Sequence, residues 1–414
     1  MKRVNLPSMA WLNLWRNRRR TLLTLSSIAF GVMLAVLFTG IGDSNWREMI
    51  DLAARLGGGH VSIQHTEFLD SPILKHSISG GHALREAALA DPDVERVVTR
   101  IAGQIMVSTA GQSYGAGFIA FDPADEDATT LSLVEAIDEG ELFETSRDSG
   151  IILGRQLAEN LNARLGSKVI YTLTDKDGEI IYGVTRLSGI VTTGSPTVDA
   201  GLCLLPIDSV REALGMAADE ATLMALFLTD QRDADAVAER LADPGPELIA
   251  LPWHRSQPEL AGFIAMKVAG AQLMEGIIMV LVAAGIFNTI FVSVMERIRE
   301  FGIMIAIGFS PGMIFGLVML ESLWLGLVGL VVSVAVTAGP YYYLATTGVD
   351  ISAQLDISGS EVAGIALSTV MRADIYPENA AMIALAALLA TLVSGLYPAW
   401  QAGRVEPVES IRLV

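Results

Sequence analysis

Four long apolar stretches constrain this chain of 414 residues more than any other feature of its sequence. They cover residues 21–42, 271–295, 311–338 and 379–403, and only Glu321 places a charge deep inside one of them. A helix needs about 20 apolar residues to cross about 30 Å of hydrocarbon at 1.5 Å per residue. A helix buried in a soluble core is usually shorter and amphipathic. The sequence therefore predicts four transmembrane helices.

The charge is unevenly distributed along the chain. Residues 43–270 hold 17 basic and 35 acidic side chains, and 17 − 35 = −18 equals the formal net charge of the whole chain. Residues 1–20 are basic and contain no acidic residue. The arginines next to the first span are Arg16, Arg18, Arg19 and Arg20. Basic residues that flank a span stay in the cytoplasm. These four arginines are therefore predicted topology anchors, which place both termini in the cytoplasm and residues 43–270 outside it.

The first apolar stretch could also be a cleaved signal peptide. Its basic start fits that alternative, but its apolar core is too long and no small-x-small site closes it before Asp43. We expect it to be a retained transmembrane helix.

The segments between the spans complete the predicted order of domains. Residues 1–20 are predicted to form an amphipathic helix at the cytoplasmic interface, because their tryptophans and apolar residues precede the arginines. Residues 296–310 form a cytoplasmic loop, residues 339–378 an extracytoplasmic loop and residues 404–414 a cytoplasmic tail.

The acidic segment 43–270 shows the pattern of a large α+β domain. Short alternating stretches that favour strands are interspersed with short helical stretches and turn residues. An acidic, turn-rich stretch begins at residue 122 and marks a change of pattern, so we expect an inserted β-rich subdomain at about residues 122–206. The predicted fold class is an α-helical membrane protein with four transmembrane helices plus a large α+β extracytoplasmic domain.

Composition disfavours several classes of function. Cys203 is the one cysteine, so the domain holds no internal disulfide and depends on its hydrophobic core. An acidic surface disfavours nucleic acid, and no Ser/His/Asp or Cys/His motif indicates catalysis by this chain. The run Asp175, Asp177 and Glu179 fits a hairpin turn better than a calcium loop. The histidines show no ligand spacing on one element, so no metal site is predicted; they are His60, His65, His76, His82 and His254.

Three motifs carry a family resemblance. The segment after the second span follows the pattern E-R-x-R-E-[IF]-G-x-x-x-A-[IL]-G-x-[ST]. It is matched by Glu296, Arg297, Arg299, Glu300, Phe301, Gly302, Ala306, Ile307, Gly308 and Ser310. A second motif closes the last span and is matched by Tyr397, Pro398, Ala399, Ala402, Pro407, Val408, Glu409, Ile411 and Arg412. A third is the basic run from Trp15 to Leu23. Together they resemble the permeases of the MacB/FtsX/LolC–LolE class of ABC transporters, in the branch similar to lipoprotein-release permeases.

The resemblance implies an assembly and a location. It implies a dimer of like or unlike permease chains in the cell inner (plasma) membrane, with two cytoplasmic ATPase subunits and a porter/sabre-like domain outside. It also implies that ATP-driven movement of that domain acts on cargo already in the periplasm or outer leaflet. The chain contains no G-x-x-x-x-G-K-[ST] phosphate loop. We therefore expect a non-catalytic permease subunit that binds no cofactor, with ATP bound by a separate subunit.

Several functions remain open under this resemblance. The size of the outer domain favours release or export of a lipoprotein or other lipophilic cargo, with a periplasmic carrier or adaptor protein as a further partner. One alternative is a transmembrane regulator of the FtsX type that activates a periplasmic cell-wall enzyme. Others are a drug or peptide exporter with an adaptor, and a membrane-anchored binding module without an ATPase.

The predicted ATPase-coupling residues are those of the loop after the second span. They are Glu296, Arg297, Ile298, Arg299, Glu300, Phe301 and Gly302. We expect the charged residues to pair with the ATPase while Ile298 and Phe301 fill a groove on it, as apolar anchors do at interfaces. The alternative is a solvated loop whose arginines only maintain topology.

Glu321 is a predicted polar contact inside the membrane. A carboxylate in hydrocarbon costs roughly 2.5–3.5 kcal/mol, so it should face protein or be protonated. The expected partners are Asn288 or Ser293 of the second span, or Thr391 or Ser394 of the fourth. A proton relay would need a second acidic group at the same depth, so a structural contact is favoured.

Overall fold

The computed structural model describes residues 5–242, 244–350, 361–362, 365–366 and 370–404. These residues form two compact units. One, the outer unit, consists mainly of residues Trp46–Ala265, and the other, the membrane unit, consists of the chain on either side of it. The predicted tail 404–414 and the motif residues from Pro407 onward lie outside the described residues, except for Arg404.

The helices that lie wholly in the outer unit are short, and the four longest helices lie mostly in the membrane unit. In chain order they are α1 Leu6–Arg16, α2 Arg18–Leu56, α3 Gly81–Leu89, α4 Arg155–Asn160, α5 Pro196–Gly201, α6 Ile207–Leu214, α7 Ala234–Arg240, α8 Trp253–Ser256, α9 Pro258–Glu296, α10 Ile298–Ala306, α11 Pro311–Thr346 and α12 Pro377–Gly403. Four of them, α2, α9, α11 and α12, are long and apolar enough to cross a membrane. The prediction of four transmembrane helices is confirmed.

Two of these helices are much longer than a bilayer requires. Helices α2 and α9 each have 39 residues, or about 58 Å at 1.5 Å per residue, against about 30 Å of hydrocarbon. Helix α11 continues through Pro340 to Thr346. The extracytoplasmic loop predicted to begin at residue 339 therefore starts later, because the helix continues beyond the apolar stretch.

The membrane helices approach one another closely at small residues. A Cβ atom added at Gly329 of α11 would lie 2.9 Å from the side chain of Ile28 on α2. One added at Gly326 would lie 2.8 Å from Leu388 on α12. Because apolar side chains gain nothing from leaving lipid, such close packing holds membrane helices together. The buried core includes Ile28, Val32, Ile286, Ile290, Ile314, Val318, Ile383 and Ala387.

The outer unit is built on one mixed sheet. Its strands are β1 Val61–His65, β2 Val94–Ser108, β3 Ser113–Phe121, β4 Ile137–Gly140, β5 Gly150–Gly154, β6 Lys168–Thr174, β7 Ile180–Val191, β8 Leu202–Pro206, β9 Leu223–Leu228 and β10 Leu248–Pro252. The order is β10-β1-β9-β2-β3-β8-β5-β7-β4, with β6 pairing both β2 and β7. Short strands β11 Val349–Asp350 and β14 Val370–Met371 pair with each other, as do β12 Glu361–Val362 and β13 Ile365–Ala366. The α+β fold predicted for this segment is confirmed.

Strand β2 is long enough to pair with different strands along its two halves. Its first half pairs with β9, and its second half pairs with β3 from Ile101 onward and with β6 from Met106. The pattern of apolar residues predicts two separate strands, at residues 94–101 and 104–109. The structure has one continuous strand in their place. Gly103 lies within the ladder because the Phe118 ring packs over it, with 3.1 Å to where a Cβ would lie.

A buried ion pair fixes the middle of β2. Arg100 and Glu126 have side chains 0% and 1% exposed. The guanidinium donates from Nε to Oε1 at 2.6 Å and from Nη2 to Oε2 at 2.9 Å. It also donates to the backbone carbonyls of Thr130, at 2.7 Å, and Gly57. These contacts satisfy both charges, which a buried pair requires if it is not to destabilise the fold.

The substitution Glu126→Gln should destabilise the outer unit by about 3–5 kcal/mol, because it leaves the Arg100 charge buried without a counter-charge. Hydrogen exchange of the β2 amides in the full chain measures the loss as faster exchange. The matched control is Asp127→Asn, at the neighbouring Arg96–Asp127 pair, whose side chains are 33% and 55% exposed. Exposed pairs contribute about 0–1 kcal/mol, so β2 protection should persist. Equal protection in both variants would contradict the role of the buried pair.

Candidate docking site between the second and third spans

The predicted coupling loop is mostly a helix. After α9 ends at Glu296, Arg297 makes the turn and α10 begins at Ile298. Gly308, with a left-handed φ of +103°, follows α10, and the Ser310 hydroxyl accepts from the Met313 amide at the start of α11. Nine residues are too few for a helix stable on its own. The structure thus corrects the loop prediction, and the stability of α10 comes from packing that local sequence does not reveal.

Packing decides which residues of α10 a partner could reach. The Phe301 ring is 0% exposed and Gly302 is also buried, so Phe301 cannot fill a groove on another protein as the sequence predicted. Ile298 is half-buried.

The exposed face of this region carries Arg299, Ile303 and Ile307. Ile303 is 48% exposed and Ile307 is 71% exposed. Residues four apart lie on one side of a helix, so these three form one stripe, with Ile307 at the C-cap. The sequence analysis missed Ile303 and Ile307. The spacing of 299, 303 and 307 would have indicated them had the segment been recognised as helical.

The predicted topology anchors divide into two kinds. Arg16 donates from Nη2 to both carboxylate oxygens of Glu300 at 2.7 Å. Arg20 donates to Glu296 at 2.8 Å. Arg18 and Arg19 are exposed. Two of the four anchors therefore also bind the segment after the second span.

Glu300 accepts from two arginines. Besides Arg16, Arg297 donates to it from Nε at 3.2 Å. Partial burial opposes the charged carboxylate, but these hydrogen bonds outweigh it and hold the pKa of Glu300 below its usual range. The Glu300 carboxylate is exposed in part, but Arg16 and Arg297 of the same chain already pair with it. An ATPase that contacts Glu300 would share the carboxylate with these two arginines.

Glu321 is paired with an arginine. Arg297 donates from Nη1 to its two oxygens at 3.0 and 3.1 Å, and Asn13 of α1 donates at 2.7 Å. The Glu321 and Arg297 side chains are 13% and 9% exposed. The guanidinium also lies 5.2 Å from the centroid of the Phe301 ring. One cluster with a buried core, which we call the Arg297 cluster (Asn13, Arg297, Glu300, Phe301 and Glu321), therefore joins α1, α10 and α11.

The partners predicted for Glu321 are not the observed ones. Asn288 is exposed, and the hydroxyls of Thr391 and Ser394 donate to backbone carbonyls of Ala387 and Ala283. Ser293 lines the same small cavity as Glu321, of about 30 Å³. The prediction failed because Arg297 comes from the turn before α10 and Asn13 from α1, and neither placement follows from hydropathy.

Comparison with known proteins places this geometry in a family. Residues 21–243, more than half of the chain, match the model of the MacB-like periplasmic core domain. Residues 273–407 match the model of the FtsX-like permease C-terminal region. The motif resemblance is thereby confirmed over most of the chain.

Individual relatives are distant. The "Lipoprotein-releasing system transmembrane protein LolC" of Xylella fastidiosa is 25% identical over 276 residues, which cover 63% of this chain and 64% of that protein. The "Pyoverdine export ATP-binding/permease protein PvdT" of Pseudomonas aeruginosa is 24% identical over 420 residues, which cover 97% of this chain and 58% of that protein. Both matches span less than two thirds of the relative. The extracellular domain of the ABC-type transporter YknZ from Gram-positive bacteria is 12% identical, with a TM-score of 0.33 over 46% of this chain and 98% of that domain.

Removing the arginine of the buried cluster should destabilise the membrane unit. Arg297→Gln leaves the Glu321 charge largely uncompensated, at a cost of about 3–5 kcal/mol. The fraction of detergent-solubilised chain that survives heating, measured by size-exclusion chromatography, should fall. Arg299→Gln, at the exposed neighbouring arginine, should change it by less than about 0.5 kcal/mol. The double variant Arg297→Gln with Glu321→Gln should recover most of the loss. Equal survival of the two single variants would refute the cluster's role.

Proposed function

This chain belongs to the family of ABC transporter permeases of the MacB/FtsX/LolC type, and from that premise we propose that it converts ATP hydrolysis by a separate ATPase into movement of its outer unit. The movement releases or exports a lipoprotein or other lipophilic cargo. In this proposal two ATPase subunits bind two permease chains in the cell inner membrane, with both termini of each chain in the cytoplasm.

The observation that carries the proposal is the combination of an anchored helix and an exposed stripe. The inward side of helix α10 is fixed by the Arg297 cluster, which includes the buried Phe301. Its exposed side displays Arg299, Ile303 and Ile307. Apolar residues beside an arginine are typical of interface hot spots. We assign ATPase docking to this stripe, in place of Ile298 and Phe301.

The same cluster provides a path for force. Arg297 follows α9 directly, Glu321 lies on α11 and Asn13 lies on α1. A displacement of α10 therefore acts on three other helices through bonds of 2.7–3.1 Å. Helix α9 and helix α2 each include residues of both units. In the proposed mechanism these two helices carry the movement to the outer unit.

A cavity in the outer unit favours lipophilic cargo. It has a volume of about 450 Å³, within the usual range of ligand pockets. Apolar side chains dominate its wall, with Leu56, Leu133, Val198 and Leu202 among them. An acyl chain matches that lining better than a polar solute. The name of one relative refers to lipoprotein release and that of another to pyoverdine export, so the proposed cargo relies on the cavity.

A regulator of a periplasmic enzyme is the second candidate. The hairpin of β6 and β7 exposes apolar side chains at Ile170, Ile180, Tyr182 and Val184, which are 40–70% exposed. Such a patch is typical of a protein-binding surface. It would suit a carrier protein under the first proposal and an enzyme under the second.

Acidic substitutions in the docking stripe should uncouple the complex. We expect Ile303→Asp and Ile307→Asp to abolish co-purification of the ATPase and stimulation of its activity, because a buried unpaired charge opposes association. Ile180→Asp, at an exposed isoleucine of the outer unit, is the control and should leave both unchanged. Normal co-purification with both α10 variants would show that docking occurs elsewhere.

Filling the cavity should separate the two candidate functions. Val198→Trp should slow release of an acylated lipoprotein from proteoliposomes by about tenfold or more, while ATPase binding is retained, because the indole occupies space that an acyl chain would use. Leu89→Trp, at an exposed residue of α3 outside both the cavity and the hairpin patch, is the matched control. If Val184→Trp blocks release while Val198→Trp does not, protein docking rather than the cavity determines function.

A further inference from the structure

A pair of histidines in the outer unit lies apart from the cavity and the docking stripe. His65 ends β1, and His76 lies in the segment between β1 and α3. Their rings stack at a centroid distance of 4.6 Å with an interplanar angle of 6°. Their side chains are 14% and 10% exposed. The stacking places two imidazoles side by side, and imidazole nitrogens are the commonest metal ligands in proteins.

Two carboxylates complete the group. Glu67 Oε2 lies 3.2 Å from His76 Nε2, and Glu247 Oε2 lies 3.5 Å from His65 Nε2. The ligand atoms of His65, Glu67 and His76 all lie within 4.8 Å of one another. Among the described residues, Glu247 is one of two non-glycine residues with positive φ, at +62°. Non-glycine residues are uncommon in that conformation. At Glu247 it occurs in a residue whose carboxylate lies beside His65.

We propose that His65, Glu67, His76 and Glu247 bind one divalent transition metal ion of the zinc class. Zinc takes imidazole nitrogens at about 2.0–2.1 Å and carboxylate oxygens at about 2.0–2.2 Å in a tetrahedron. Such a tetrahedron separates its ligand atoms by about 3.4 Å. The two histidine–carboxylate distances, 3.2 and 3.5 Å, lie on either side of that value. To reach metal-bond distances, the Glu67 and Glu247 side chains would move toward the ion. They are 72% and 80% exposed, so they have room to do so.

The hydrogen bonds of the two rings fit this role to different degrees. His76 Nδ1 lies 2.9 Å from the Ser71 carbonyl. A proton on Nδ1 donates to that carbonyl and leaves Nε2 free to bind the metal. A metal-bound histidine usually donates its other ring N–H in this way. His65 Nδ1 accepts from the Glu67 amide at 3.2 Å. Metal at His65 Nε2 would require the ring proton on Nδ1 and would end that long, exposed hydrogen bond.

The backbone around the site is already shaped. Ser71 N donates to the Glu67 carbonyl at 2.9 Å, and His76 N donates to the Ile73 carbonyl at 3.1 Å. Buried Phe68 and Leu74 anchor the segment. Metal binding would tie this segment to the β1–β10 pair and stabilise that edge of the sheet. The sequence predicted no metal site because its ligands come from separated positions that only the fold brings together.

Zinc binding by the full chain tests the proposal. The protein is purified with a tag that contains no histidine, stripped with chelator and titrated with zinc in a calorimeter, and a cobalt spectrum reports the geometry. We expect one ion per chain with a tetrahedral cobalt spectrum. His76→Gln and Glu67→Gln should each weaken binding by at least about tenfold. His82→Gln, at an exposed histidine of α3, should bind as the unaltered chain does.

Two results would overturn the proposal. One is absence of zinc binding to the unaltered chain, which would leave the four residues as surface ion pairs only. The other is equal zinc affinity of the Glu67→Gln and His82→Gln variants, which would place the ion elsewhere. Glu67 is exposed, so its substitution keeps the test valid if His76→Gln fails to fold.

Discussion

The buried pair of Arg297 and Glu321 is the interaction on which the proposed mechanism depends. Glu321 lies in an apolar helix where an unpaired carboxylate is costly. Arg297 neutralises it from the turn before α10 and, at the same time, contacts Glu300 and the Phe301 ring. Because breaking a buried pair leaves a charge uncompensated, α10 is fixed against α11. A helix of nine residues thereby acquires a stable position.

That fixed position gives the neighbouring residues their roles. Residues facing inward are contacts within the chain, and the stripe of Arg299, Ile303 and Ile307 lies on the exposed side of α10. The arginines before the first span also contribute, since Arg16 and Arg20 bind Glu300 and Glu296. Residues expected only to set topology therefore also hold α10. In the proposed mechanism, helices that continue into the outer unit share the movement of α10.

Sequence reasoning succeeded where the relevant signal is local. Hydropathy and length are properties of contiguous residues, so the four spans and their order followed from them. Alternation of apolar residues similarly indicated a domain of strands and short helices in residues 43–270. Contacts between distant residues were not predictable in this way. The pairing of Glu321 with Arg297 and Asn13, the burial of Phe301 and the approach of His65 to His76 all depend on how separate elements pack. Gly103 was misread as a break because its packing partner, Phe118, lies on another strand.

A distance measurement in the outer unit during ATP turnover tests whether ATP hydrolysis moves that unit. Cys203 is fully buried, so a spin label can be directed to a cysteine introduced at the exposed residue Ile180. Electron-spin distances between the two permease chains are then compared with and without ATP, in the complex with its ATPase. We expect ATP to shift the distance distribution in the otherwise unaltered chain and Ile303→Asp to abolish the shift. An unchanged distribution with ATP, despite normal hydrolysis, would show that hydrolysis does not move the outer unit.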